Sequence, residues 1–110
     1  MKWNVQYSAA AMGDLKQTYE YIAGELFAPD TAADLVRAIM DAVRSLDEMP
    51  MRYRLCENEP WRSGGLRKMP VRNYAVYYLP DETTDTVSIV RILYGGMDPE
   101  KQLSESPGAD

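Results

Sequence analysis

An α+β fold follows from three features of the sequence. A short alternating segment opens the chain, two stretches of helical periodicity follow, and three β-branched or aromatic segments separated by turns close it. Such an order predicts an N-terminal strand and an antiparallel helical hairpin packed on one face of a small antiparallel sheet, with a short C-terminal tail. Neither internal repeats nor a linker interrupt the 110 residues, which suit one domain over residues 1–104 and a frayed tail at 105–110.

Each element has a local cause. In "KWNVQY" the residues Trp3, Val5 and Tyr7 alternate with Lys2, Asn4 and Gln6, the period of a half-buried strand. Ser8 can then accept a backbone N–H as a helix N-cap. Met12, Leu15, Tyr19, Ile22 and Leu26 recur at three- and four-residue steps, predicting one apolar stripe, with Asp14 near the positive end of the helix dipole. "FAPD" ends that helix, because proline disfavours helical geometry in the residue before it. Asp30 or Thr31 is expected to cap the next helix, Thr31 with Asp34 resembling a capping box. Its stripe is Ala32, Leu35, Ile39, Val43 and Leu46, and it stops before Pro50.

Residues 51–65 read as loop, although "RYRLC" suits a short strand. "LRKMPVR", "NYAVYYLP" and "DTVSIVRILY" are strand segments. Pro70 puts the first at a sheet edge, and the turn "PDETTD" joins the other two as a hairpin. That edge is a candidate for strand addition by a partner, with Met49, Met51 and Trp61 as apolar contacts near it.

Composition excludes several chemistries. Histidine is absent and Cys56 is the only cysteine, so there is no Ser-His-Asp or Cys-His pair, no internal disulfide and little basis for a zinc site. No cofactor or metal is expected. No apolar run approaches the roughly 18 residues of a membrane span. "MKWNVQYS" lacks the apolar region of a signal peptide, so a cytoplasmic protein without membrane association is expected. The net charge of −5 is divided unevenly. Residues 8–48 hold eight acids against three bases, whereas residues 52–72 hold six bases against two acids. The basic segment suits either a solvated loop with structural arginines or a surface for an anionic partner.

Together, "VQYSAAAMGDLKQTYEYI", "SLDEMPMRYR", "GGLRKMPVRNYAVYYLPDE" and "VSIVRILYGG" resemble, in order, the RelE/ParE superfamily, the toxins of type II toxin–antitoxin systems. The resemblance runs from about Trp3 to Leu103. It implies a stress- or plasmid-linked growth inhibitor neutralised by a cognate antitoxin. RelE-like members cleave mRNA in the ribosomal A site, and ParE-like members poison DNA gyrase. Cleavage by 2′-hydroxyl attack needs a proton acceptor, cations for the developing phosphorane charge and an acid for the leaving oxygen. Here Ala75 stands where relatives often carry arginine, Tyr94 where many carry histidine, and Met97 where arginine is common. The remaining candidates for catalysis or anion binding are Arg67, Lys68, Arg72, Arg91 and Tyr94. Lys68 and Arg72 share parity on an extended segment and are expected to point the same way, Arg67 and Arg91 can equally be structural, and Gly95-Gly96 reads as a turn that no Cβ would fit.

The resemblance therefore leaves three readings. The first is a ParE-like protein inhibitor of gyrase, with the acidic helical hairpin facing its target or its antitoxin. The second is a RelE-like nuclease acting with the ribosome on mRNA, and the third a decayed toxin kept as a binding partner. A homodimer or a toxin–antitoxin hetero-oligomer is the expected assembly.

Overall fold

The computed structural model describes residues 2–95 and Leu103. Gly96, Met97 and the expected tail at 105–110 lie outside the described residues. Strand β1 (Asn4–Tyr7) leads into helix α1 (Ala9–Glu20), which continues as a π-helical turn over Tyr21–Glu25. Helix α2 (Pro29–Arg44) returns antiparallel, and strands β2 (Arg67–Val71), β3 (Tyr74–Asp81) and β4 (Thr86–Tyr94) complete the sheet. The two helices pack on a four-stranded sheet of order β1-β4-β3-β2. The three C-terminal strands are antiparallel as expected, and β1 joins β4 in parallel, with Val5 opposite Val87 and Tyr7 opposite Ile89, so the sheet is mixed.

Ser8 performs its expected task and a second one. Its Oγ accepts from the Ala11 N–H at 3.0 Å and donates to the Val90 carbonyl at 2.9 Å. The start of α1 is thereby tied to the middle of β4.

The face that α1 buries differs from the predicted stripe. Ala11, Asp14, Leu15 and Thr18 are buried, whereas Met12 is 53 % exposed and Tyr19 and Leu26 also face outward. A carboxylate takes an inward position because it has a partner there. The helix is thus rotated by less than one residue, roughly 70°, from the purely apolar solution, and Leu15 stays on the buried face. Helix α2 buries Ala32, Leu35, Ile39 and Val43, with Leu46 just beyond it, as expected. Its start corrects the sequence reading: Ala28 is the N-cap without a side-chain bond, and Pro29 occupies the first turn. Proline fits there because it has no N–H to leave unpaired and its φ is already helical.

Side chains from α1, α2 and the inner sheet face form the main core around Ile39, Leu46, Tyr78 and Ile89. The opposite sheet face has its own cluster, Cys56, Leu66, Ala75, Tyr77, Val90, Leu93 and Leu103, with Trp61 packed against it. "RYRLC" forms a single bridge, Leu55 to Arg67, rather than a strand.

Strand β2 is the sheet edge, but it offers little to an incoming strand. The Lys68 N–H already donates to Arg54 O at 3.1 Å, the Leu66 carbonyl accepts from Cys56, and Pro70, next on that outward side, has no N–H. Met49 stays 74 % exposed, Trp61 is half-buried against the outer cluster, and Met51 lines a cleft beside it.

Candidate functional site

The five candidate residues divide between two clefts. Arg67 and Lys68 line one of about 810 Å3, formed by residues 51–58, Trp61, Pro70, Tyr77 and Leu103. Arg72, Arg91 and Tyr94 line another of about 900 Å3, between the far end of α1, the β2–β3 turn and the end of β4. Among the described residues, no side chain lines both clefts.

Arg91 owes its position to a β-bulge. The β3–β4 register passes from Tyr77 opposite Arg91 to Tyr78 opposite Ile89, leaving Val90 as the extra residue. Ile89 and Ile92 both enter the helix-side core while Val90 enters the outer one. Such a bulge re-aims side chains and disrupts the backbone ladder. Asp14 meets the re-aimed Arg91 and also the Ile92 N–H, which lies beyond the last β1–β4 pair. Its Oδ2 accepts from Arg91 Nε at 2.7 Å and from the Ile92 N–H at 2.9 Å, and its Oδ1 accepts from Arg91 Nη2 at 2.8 Å. Side-chain exposure is 14 % for Arg91 and 8 % for Asp14. The guanidinium is a brace between helix and sheet.

Arg67 is braced as well. Its Nη1 donates to the carbonyls of Tyr53, at 2.6 Å, and Met51, at 3.1 Å, holding the loop against β2. Arg52, in the same cleft, donates to Glu48 O at 2.6 Å and Ser45 Oγ at 2.8 Å and stacks over the Tyr53 ring. Of the exposed cations that line the clefts, Arg54 and Lys68 in the first and Arg72 in the second have neither an ion pair nor a side-chain hydrogen bond among the described residues. Lys68 and Arg72 do not converge. Arg72 leaves the strand at φ +53°, in a two-residue turn with Asn73, and the shared parity expected of an unbroken strand ends there.

Tyr94, half exposed, packs edge-on against Tyr74 with ring centroids 5.6 Å apart. Next to it the Gly95 N–H donates to Asn73 O at 2.8 Å, and a Cβ on Gly95 would come within 3.0 Å of that oxygen. Glycine is favoured here, because any larger residue would push the Asn73 carbonyl back by a few tenths of an ångström.

Two titratable groups of the first cleft are held in their neutral forms. Burial pushes up both the Cys56 thiol, against the opposing pull of Lys68, and the Tyr77 phenol, which Cys56 raises further. The reactive forms would be thiolate and phenolate, and both are disfavoured. Tyr78 beneath them is pushed to about 12 by burial, and its hydroxyl donates to Pro50 O at 2.6 Å. Among the described residues no three His, Cys, Asp or Glu side chains converge on a metal position, and no helix is long and apolar enough to cross a membrane.

Two participants lie beyond the sequence reading. Asp14 was placed as a dipole partner, although its spacing from Ala11, Leu15 and Thr18 is that of an inward face. Arg52 and Arg54 belong to the basic stretch, and only the fold shows that they share a cleft with Trp61.

Residues 5–99 match the sequence profile of the family described as ParE toxin of type II toxin-antitoxin system, parDE. No curated protein sequence matches the chain. Among solved structures, one of the chromosomal ParDE system of P. aeruginosa is similar, with 19 % identity and a TM-score of 0.69 over 84 % of this chain and 96 % of that one. The toxin-antitoxin complex RelBE2 of Mycobacterium tuberculosis gives 20 % identity and 0.62 over 86 % and 99 %. A mutant of the E. coli toxin RelE in the free state gives 13 % and 0.64 over 96 % and 95 %. At these identities the structural likeness concerns the fold.

Proposed function

The chain belongs to the ParE toxin family of type II toxin–antitoxin systems, and from that premise we propose that it stops growth by binding DNA gyrase and is neutralised by a cognate antitoxin. The observation that carries this reading is the fate of the candidate cations. Arg91 is committed to the Asp14 carboxylate and Arg67 holds two loop carbonyls through Nη1, so both side chains already serve the fold. Lys68, Arg72 and Tyr94 do not line one cleft. Phosphoryl chemistry on RNA needs cation, proton acceptor and acid held together within hydrogen-bond reach of one reacting centre. A protein inhibitor needs only a complementary surface. Antitoxin binding is supported by the family and by the ParDE and RelBE2 assemblies that the relatives form.

One observation favours the RelE-like alternative. Arg54 and Lys68 give the first cleft uncommitted positive charge beside Trp61, a setting for an anionic chain. The two readings part on the double variant Arg54→Ala/Lys68→Ala, which removes the uncommitted cations of that cleft without touching either brace. Growth arrest should persist in that variant, and the purified wild type should inhibit gyrase supercoiling. Arrest abolished in the folded double variant, with supercoiling untouched by the wild type, would move the assignment to the nuclease.

A further inference from the structure

At the tip of the helical hairpin the chain holds a bulky apolar side chain outward against its backbone preference. Phe27 lies between α1 with its π-helical turn and α2, has φ +52° and is 87 % exposed. A left-handed backbone at a bulky residue is an outlier, and glycine or asparagine is the usual occupant of this position after a helix. The conformation is fixed by the turn before it. Leu26 N–H bonds to Tyr21 O at 3.2 Å and Ala28 N–H to Ile22 O at 3.0 Å, the wide spacing of a π-helical ending. Such turns recur at functional positions. Leu26 and Tyr21 flank Phe27, each more than half exposed, and both reach the lip of the second cleft.

The helical segment that carries this tip bears charges of one sign, and the nearby cations, Arg72 and Arg91, belong to the sheet side of the second cleft. Residues 17–36 contain Glu20, Glu25, Asp30 and Asp34 and neither lysine nor arginine. Asp34 pairs with Arg37, whereas Glu20, Glu25 and Asp30 are exposed and make no ion pair among the described residues. This acidic segment favours a protein surface with lysine or arginine around an apolar pocket over nucleic acid or anionic lipid.

We propose that Phe27, with Leu26 and Tyr21, is the anchor by which the chain engages the protein it inhibits, inserting into an apolar pocket rimmed by basic side chains. This rests on the gyrase reading for the identity of the partner and on the hairpin tip for the place. A buried aromatic anchor surrounded by complementary charge is the usual form of an interface hot spot.

Phe27→Gly is the informative variant, since it removes the ring and relieves the left-handed strain, and Phe27→Asn is a second variant suited to the same backbone. Thermal unfolding, affinity for purified gyrase by biolayer interferometry, growth arrest and co-purification with the antitoxin are measured for each. Both variants should unfold no lower than the wild type, retain the antitoxin, lose growth arrest and bind gyrase about tenfold or more weakly. Glu25→Lys should also weaken binding, more so at low than at high salt. Gyrase affinity of Phe27→Gly and Phe27→Asn within about twofold of the wild type would overturn the anchor and leave the gyrase reading standing. If the wild type itself fails to bind gyrase, that reading falls separately and growth arrest decides. Arrest retained by the folded variants then overturns the anchor, and arrest lost supports it for another protein target.

Discussion

Replacing Asp14 with alanine probes the brace that fixes Arg91 in place. The carboxylate accepts three hydrogen bonds between 2.7 and 2.9 Å, two from the guanidinium and one from the Ile92 N–H, which lies beyond the end of the β1–β4 pairing. Removing it strips two charge-assisted hydrogen bonds from a buried guanidinium and leaves the buried Ile92 N–H without its acceptor. Breaking a buried pair from one side costs about 3–5 kcal/mol, against a total stability on the order of 5–15 kcal/mol for a domain. At about 4–8 °C per kcal/mol, the melting temperature should fall by 12 °C or more. The double variant Asp14→Leu/Arg91→Met removes both charges and should recover most of the loss, so the coupling energy in a double-mutant cycle should exceed about 2 kcal/mol. Guanidinium unfolding of the four proteins in the cycle supplies the measurement. Because the pair is shielded from water, the cost of Asp14→Ala should change little when urea melts are compared in dilute buffer and in 1 M sodium chloride. A loss below about 1 kcal/mol for Asp14→Ala, the range of an exposed ion pair, would refute the bracing role assigned to the Asp14–Arg91 pair.

Two further outcomes follow from the same structure. Tyr78, raised to about 12 by burial, stays protonated in the folded chain where the unfolded phenol near pH 10 would ionise, so its contribution is complete below pH 10 and is lost as pH rises toward 12. Phe at this position should cost about 1–2 kcal/mol at neutral pH, by leaving the buried Pro50 carbonyl unpaired, and should flatten the alkaline loss of stability in pH-dependent urea melts. Gly95→Ala should cost about 1–3 kcal/mol, because its Cβ would press on the Asn73 carbonyl oxygen at 3.0 Å, and hydrogen exchange of the Gly95 amide should accelerate.

The sequence reveals those elements whose causes are local. Helix α2 is legible because its apolar stripe has no competitor, and the β3–β4 hairpin because two long β-branched segments meet at an obvious turn. The face of α1 is not, because the burial of Asp14 depends on Arg91, 77 positions away. The parallel pairing of β1 with β4 is likewise a long-range choice that alternation in "KWNVQY" cannot specify. Among the candidate site residues, only the fold separates Arg67 and Lys68 from Arg72, Arg91 and Tyr94. Arg67 looks available until the loop carbonyls of Met51 and Tyr53 are seen to take its guanidinium. Phe27 has no sequence signal at all, since left-handed geometry is inferred from glycine or asparagine and never from phenylalanine.

That this chain acts by contact with a protein rather than by cutting RNA is tested most directly by pulse-labelling DNA, RNA and protein synthesis in cells just after its expression without antitoxin. DNA synthesis should fall first, with translation following only later. Translation falling first, with cleaved mRNA and DNA synthesis still running, would contradict the account.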